Sequence, residues 1–179
     1  MKYIAILRGI NVSGKNIIKM ADLKSALLSN GYANVKTYIQ SGNLVFTYKE
    51  EPVQQIASEL SALVANHFGL VLPVIVLDAK QLNDIVKKNT FLENTDVDTK
   101  QLYVTFLART PELENSSEFR EHSFSPDEFV LTDEAIYLKI PESYGNTKLS
   151  NAYIERKLKV TATTRNWKTV LKLQEMINQ

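Results

Sequence analysis

The chain has 179 residues, of which 44% are hydrophobic and 23% charged, and it contains two histidines and no cysteine. This composition is typical of folded globular proteins, and the lack of cysteine excludes disulfides, thiolate zinc sites and cysteine nucleophiles. Residues 1–48 carry six basic side chains and one acidic, and residues 145–179 carry seven and two, so each end has a net charge of +5 and the middle −9. The two ends therefore favour an anionic partner.

No apolar run approaches the ~20 residues that span a bilayer. The apolar stretch YIAIL near the N-terminus is too short for the core of a signal peptide. The sequence therefore predicts a cytoplasmic protein with no membrane partner.

In chain order, apolar and β-branched runs alternate with runs of helical periodicity. Strands are predicted at 3–7, 35–40, 43–48, 71–77, 101–107, 127–131 and 134–140. Helices are predicted at 20–30, 52–68, 79–89, 150–158 and 167–177, with a weaker helix near 112–120 and at most a short last strand at 160–163.

The first half thus has the order β-α-β-β-α-β of a ferredoxin-like sandwich, and the second half has nearly the same order. The halves also begin alike, with YIAILRG at 3–9 and YVTFLAR at 103–109. The predicted fold class is α+β, with two similar ferredoxin-like subdomains that arose by duplication. The predicted division is 1–78, a connecting helix and loop at 79–100, and 101–179.

Two turns rich in glycine and asparagine should meet at one end of the first sheet. The first is RGINVSGKN, residues 8–16, and the second is QSGN, residues 40–43. In the ferredoxin-like order the first and third strands are neighbours, so both turns lie at the same end of the sheet. Glycine and asparagine tolerate positive φ and expose backbone N–H groups, which can form a concave anion site.

RGINVSGKN also differs by one residue from a phosphate-binding P-loop, GxxxxGK[ST]. Asn16 stands where a P-loop has the hydroxyl that ligates Mg²⁺, and helical periodicity begins only near Lys19 or Met20. A strand that ends in Asp78 is present, but Asp78 and Gln81 form a capping box that accounts for the aspartate. The sequence therefore argues against a nucleotide-hydrolysing P-loop.

The sequence offers few residues for metal binding or for RNA binding on an open sheet. His67 and His122 are far apart in the sequence, so we predict no metal site and no cofactor. RNA binding on an open sheet would need exposed aromatic side chains, for which Tyr3, Phe46 and Tyr48 are candidates. Because their strands are apolar on both faces, we expect the sheet to be covered on both sides.

Two C-terminal segments, TKLSN at 147–151 and TTRNW at 163–167, each precede a predicted helix. Ser150 and either Thr164 or Asn166 are suitable N-caps. Lys148 and Arg165, however, are cations near helix N-termini, where the helix dipole disfavours them. An anion bound at each helix end would resolve this conflict.

The segments LRGINVSGKNIIKMADLKSALLSNGYANVKTYIQSGNLVF and TKLSNAYIERKLKVTATTRNWKTVLKL together resemble the bacterial domain-of-unknown-function 1697 family. The family pattern has a second glycine where this chain has Ser13. The resemblance implies a cytosolic bacterial α+β protein of about this length, and it brings no activity, substrate or catalytic residue.

We therefore expect a phosphate-bearing ligand, a nucleotide or nucleic-acid segment, in a basic cleft formed by RGINVSGKN, QSGN, TKLSN and TTRNW. The candidate ligand-binding residues are Arg8, Asn11, Lys15, Asn16, Ser41, Asn43, Lys148 and Arg165. Two alternatives remain open: an enzyme that acts on a small non-phosphorylated carboxylate or sugar, and a non-catalytic interaction module. The sequence assigns no reaction and no catalytic residue.

Overall fold

The computed structural model describes residues 1–179, which form eight strands and six α-helices. The chain divides into two compact units, residues 1–83 with 173–179 and residues 84–172, which we call the N-terminal and C-terminal units. The division predicted from the sequence, 1–78, 79–100 and 101–179, rests on element order alone and stays a prediction.

In the N-terminal unit, four antiparallel strands lie in the order β2-β3-β1-β4. The elements are β1 (Lys2–Leu7), α1 (Met20–Ser29), β2 (Ala33–Tyr38), β3 (Asn43–Thr47), α2 (Val53–Phe68) and β4 (Val74–Asp78), and α3 (Ala79–Lys87) follows. This is the βαββαβ order and the sheet topology of a ferredoxin-like unit.

The C-terminal unit repeats the arrangement, with four antiparallel strands in the order β6-β7-β5-β8. Its elements are β5 (Leu102–Leu107), α4 (Leu113–Arg120), β6 (Glu128–Leu131), β7 (Ala135–Lys139), α5 (Asn151–Leu158) and β8 (Ala162–Asn166), and α6 (Trp167–Asn178) follows. The predicted α+β class with two ferredoxin-like halves is confirmed.

The two sheets share a strand order and also the register between the first and last strands of each unit. Tyr3 pairs with Asp78 between β1 and β4, and Tyr103 pairs with Asn166 between β5 and β8. Asp78 and Asn166 also perform the same task, because each accepts a backbone N–H of the helix that follows. The bonds run from Gln81 N to Asp78 Oδ1 (2.7 Å) and from Thr169 N to Asn166 Oδ1 (2.9 Å). This agreement fits a duplication.

The helices cover one face of each sheet. In the N-terminal unit, α2 begins after Pro52 and ends at Gly69, whose φ of +67° gives a left-handed C-cap. Its apolar stripe, which includes Ile56 and Leu60, packs in one buried cluster with Leu23 and Leu27 of α1 and with alternate residues of β1. Full burial of each aliphatic side chain contributes about 2 kcal/mol, so this face holds the unit together.

The last strand differs most from its prediction. It covers Ala162–Asn166, not 160–163, and α6 begins directly after it at Trp167. TTRN is polar and reads as a loop, but β5 is a buried strand that needs a hydrogen-bonding neighbour on this side. Pairing with β5 therefore overrides the weak local signal.

Strand β4 also shifts, because it begins at Val74 and not at residue 71. Pro73 has no N–H for the ladder, and its carbonyl instead accepts the N–H of Arg8 (3.0 Å).

Candidate functional site

The loop after β1 is fixed to the turn before β3. Leu7 donates its N–H to the carbonyl of Gly42 (2.8 Å). A Cβ at residue 42 would lie 2.8 Å from Leu7 Cβ and 2.9 Å from Ile10 Cδ1, and φ there is +81°. Only glycine allows this approach. The predicted meeting of RGINVSGKN and QSGN is confirmed, and we call residues 8–19 and 39–43 together the turn cluster.

Asn11 holds the base of the cluster together. Its Oδ1 accepts the N–H of Ile18, and its Nδ2 donates to the carbonyls of Ile18 and Gln40, all at 2.9 Å. Asn16 adds two bonds: its Nδ2 donates to the carbonyl of Gly9 (2.8 Å), and its backbone carbonyl accepts the N–H of Asn11 (3.1 Å). These two asparagine side chains therefore fix the loop.

The tip of the loop is a hairpin turn. Lys15 donates its N–H to the carbonyl of Val12 (2.9 Å), and the two central residues, Ser13 and Gly14, have φ of +50° and +74°. Positive φ at both central positions is typical of a type I′ turn. Since α1 begins only at Met20, the Gly-Lys pair does not lie at a helix N-terminus as it would in a P-loop.

The QSGN side of the cluster is also braced from within. Asn43 is fully buried, and its Nδ2 donates to the carbonyl of Tyr38 (3.0 Å) and to Ser41 Oγ (2.9 Å). The amide donors of Asn11, Asn16 and Asn43 are thus engaged inside the protein. Their role as ligand contacts stays a prediction, whereas their role in shaping the turns is seen directly.

The cluster also contains backbone donors that have no partner within the protein. None of its hydrogen bonds uses the backbone N–H groups of Ser13, Gly14, Asn16 or Ile17, and all four residues are exposed. Left-handed residues next to right-handed ones turn successive N–H groups toward a common point, which is how backbone anion sites form.

Charge and apolar surface surround these donors. The cluster contains three cations, Arg8, Lys15 and Lys19, and no acidic residue. Lys15 and Lys19 are exposed, and Arg8 is half-buried. Three aliphatic side chains are also exposed here, listed with their exposed fractions: Val12 at 57%, Ile17 at 62% and Ile39 at 51%.

In the C-terminal unit, TKLSN and TTRNW are joined by a chain of short hydrogen bonds. Thr164 Oγ1 donates to Asn151 Oδ1 (2.7 Å) and lies 2.7 Å from Thr105 Oγ1 on β5. Ser150 caps α5 by accepting the N–H of Tyr153 (3.3 Å), as predicted. Of the two caps considered for α6, Asn166 fills the role and Thr164 does not.

Arg165 lies on β8, and its Nη1 donates to the carbonyl of Thr164 (2.9 Å). Burial lowers the pKa of its guanidinium to about 10, which still leaves it charged at neutral pH. Arg165 thus lies near the start of α6, as expected, but on a strand that extends to Asn166. Lys148 is exposed in the segment that precedes α5. The ligand roles of both cations stay predictions.

Two features of the structure were not predicted from the sequence. Ile39 has a φ of +50°, which is rare for a β-branched residue and is normally left to glycine or asparagine. A cavity in the C-terminal unit is lined by residues from two connections, 123–127 and 142–148. The only local signal for it is the turn-forming dipeptide Ser125-Pro126.

The remaining sequence hypotheses can be placed too. Tyr3 and Phe46 are each 1% exposed, so neither can stack on an RNA base. No group of three or more histidine, aspartate or glutamate side chains is arranged to hold a metal ion. None of the six helices combines the length and the apolar character that a membrane crossing needs.

The family described as "Protein of unknown function (DUF1697)" matches residues 1–137. The chain belongs to this family. The match confirms the membership predicted from RGINVSGKN and the residues after it, whereas TKLSN and TTRNW lie beyond the matched range. No curated protein matches the chain.

Among solved structures, the chain is similar to "conserved bacterial protein SP0830 from Streptococcus pneumoniae". The two share 23% sequence identity, the superposition covers 98% of each chain, and the TM-score is 0.77. At this identity the similarity shows the fold alone. The fold agrees over nearly the whole length of both chains.

Proposed function

We propose that this DUF1697 protein binds a phosphate-bearing ligand, a nucleotide or a nucleic-acid segment, and that the turn cluster of the N-terminal unit supplies the main contacts. The observation that supports the proposal is the set of backbone N–H groups at Ser13, Gly14, Asn16 and Ile17. They make no hydrogen bond within the protein and belong to exposed residues of a loop that asparagine side chains brace. Because the loop is already ordered, little conformational entropy is lost when an anion binds.

The charge of the cluster supports an anion over a neutral ligand. Lys15 and Lys19 reach solvent beside the N–H groups, and no carboxylate in the cluster offsets them. Charge-assisted hydrogen bonds from lysine or arginine to phosphate oxygens are about twice as strong as neutral ones. The cations would supply binding strength, and the backbone donors would fix the direction of the phosphate.

The C-terminal unit carries the second part of the proposal. Lys148 is exposed before α5, and Arg165 is a charged, half-buried side chain on β8. A role of Lys148 or Arg165 in ligand binding stays a prediction that rests on charge alone, and Lys148→Ala and Arg165→Gln test each residue separately.

The main test measures affinity for ATP and for a fluorescent single-stranded oligonucleotide over a series of salt concentrations. Lys15→Ala should weaken binding by about tenfold, since a hydrogen bond to a charged group contributes about 1.5–3 kcal/mol. For the oligonucleotide it should also make the salt dependence less steep, by about 0.7 in the slope of log K against log salt.

Lys2→Ala is the matched control, because Lys2 is an equally exposed lysine at the opposite end of β1. It should leave both affinities unchanged. Tighter binding of the oligonucleotide than of ATP would identify a nucleic-acid segment, and the reverse order a nucleotide. If neither probe binds, or if Lys2→Ala and Lys15→Ala weaken binding equally, the proposal is wrong.

A further inference from the structure

The C-terminal unit contains a cavity of about 360 Å³ that is separate from the turn cluster. Its walls come from residues 123–127, between α4 and β6, and from residues 142–143 and 146–148, between β7 and α5. Lys148 is the only residue of the predicted site that lines it. Its size lies within the range of pockets that bind small molecules.

Hydrogen bonds hold the two walls at a fixed distance. Thr147 Oγ1 donates to Asp127 Oδ2 (2.6 Å), which ties one wall to the other, and also accepts the N–H of Leu149 (3.1 Å). Asp127 donates its own N–H to the carbonyl of Phe124 (3.0 Å), which closes the turn of the first wall. The cavity is therefore formed before any ligand enters.

The ring of Phe124 gives the cavity a rigid apolar side. It meets Phe129 and Tyr153 edge to face, with ring centroids 5.7 and 5.5 Å apart. Such contacts hold an aromatic ring in one orientation. The Phe124 ring therefore supplies an apolar part of the lining that its aromatic neighbours hold in place.

The polar groups of the cavity both donate and accept. Asp127 and Glu142 offer carboxylate oxygens, Lys148 and Asn146 offer N–H donors, and serine hydroxyls can do either. In Asp127, one oxygen is used by Thr147, and the other carboxylate oxygen has no bond to a neighbouring side chain. With two carboxylates against one ammonium group, the lining carries a net negative charge and disfavours a phosphate.

We propose that this cavity binds a small polyhydroxylated ligand of monosaccharide size that carries no phosphate. A sugar hydroxyl donates to a carboxylate and accepts from an ammonium or amide group, and the cavity provides both kinds of partner. The C–H face of a sugar ring is apolar and fits the Phe124 ring. Because the lining carries a net negative charge, this cavity favours a neutral ligand, whereas the turn cluster favours an anion.

The test is a titration of the ¹⁵N-labelled full chain, followed by NMR, with D-glucose, D-galactose and myo-inositol as probes and glucose 6-phosphate as the phosphorylated counterpart. At least one neutral probe should shift the amide signals of residues 123–127 and 142–148 in a saturable way. Glucose 6-phosphate should bind these residues more weakly than glucose. Asp127→Asn should weaken the neutral probe by about tenfold, because the charged acceptor is lost.

Two further variants separate loss of binding from loss of structure. Glu142→Gln removes a second carboxylate of the lining, so it should also weaken binding of the neutral probe. Because Glu142 takes no part in the bond to Thr147, this loss cannot come from a broken contact between the walls. Asp133→Asn is the matched control, because Asp133 is an exposed aspartate that does not line the cavity. It should leave the affinity for the neutral probe unchanged. The proposal is overturned if no neutral probe shifts the lining, if the phosphorylated probe binds there more tightly, or if Asp133→Asn weakens binding equally.

Discussion

The two units have the same strand order and register, but they differ at the connection that follows the first strand. In the N-terminal unit, β1 and α1 are joined by residues 8–19, which fold into the braced turn cluster. In the C-terminal unit, β5 and α4 are joined by the shorter segment 108–112. The scaffold is repeated and the loop is not, so the candidate phosphate site is an addition to one copy of a common fold.

The last strands differ as well. β4 has the sequence VIVLD and β8 the sequence ATTRN, although the two occupy the same place in their sheets. Where the N-terminal unit has Ile75 and Val76, the C-terminal unit has Thr163 and Thr164. At these two equivalent positions, one copy therefore has aliphatic side chains and the other has threonines, of which Thr164 is hydrogen-bonded.

The largest expected effect concerns the glycines of the two units. Gly42→Ala places a Cβ within 3 Å of Leu7 and Ile10 at a residue of positive φ, so the free energy of unfolding should fall by about 3 kcal/mol. Gly145→Ala in the C-terminal unit meets only Ser143 Oγ, at 3.6 Å, and should change it by less than about 1 kcal/mol. Urea denaturation measures both, and equal losses would show that Gly42 is not the close contact described.

The next effect concerns the asparagine that braces the cluster. Asn11→Ala removes three hydrogen bonds and should destabilise the protein by about 2–3 kcal/mol. In the C-terminal unit, Asn94→Ala removes one exposed bond, from Asp96 N (3.0 Å), and should cost less than about 1 kcal/mol. Loss of ATP affinity in Asn11→Ala but not in Asn94→Ala would link the brace to binding.

A smaller effect on stability, of opposite sign in two threonine variants, tests the role of the polar residues of β8. Thr163 is fully buried and its Oγ1 has no hydrogen-bond partner, so Thr163→Val should stabilise the protein by about 1 kcal/mol and make β8 more like β4. Thr105→Val removes the contact to Thr164 Oγ1 and should destabilise it by about 1 kcal/mol. Thermal or urea unfolding measures both, and a shift of the same sign in both variants contradicts the assignment.

The smallest effect appears only in alkaline solution. Burial, then the nearby Tyr48 and Glu59, raise the pKa of Tyr32 above its ordinary value of 10.0. The folded state thus keeps the phenol protonated where the unfolded state ionises it. The contribution of Tyr32 to stability is therefore fully present well below pH 10 and is lost as pH rises above 10. Tyr32→Phe should make this fall less steep, and an unchanged pH dependence of urea unfolding would exclude Tyr32 as its source.

Much of the fold was predictable because local signals and the sheet agree. Apolar runs such as YIAIL identify the central strands, and Pro52 and Gly69 limit α2. The meeting of the two turns followed from strand order, which does not depend on exact boundaries. The family membership followed from the same N-terminal residues.

The features that could not be predicted depend on contacts distant in sequence. β8 is a strand because it pairs with β5, and its own residues are polar. The asparagines of the cluster read as ligand donors, yet their amides bond to carbonyls up to 29 residues away. The cavity needs residues from two connections that are separated along the chain, so no local pattern could identify it.

The most direct test of the phosphate site is an NMR titration of the ¹⁵N-labelled chain with inorganic pyrophosphate. We predict saturable shifts of the amide signals of Ser13, Gly14, Asn16 and Ile17, since these N–H groups of the cluster have no partner within the protein. Saturable shifts elsewhere with these four signals unchanged, or no shift at all, would contradict the account.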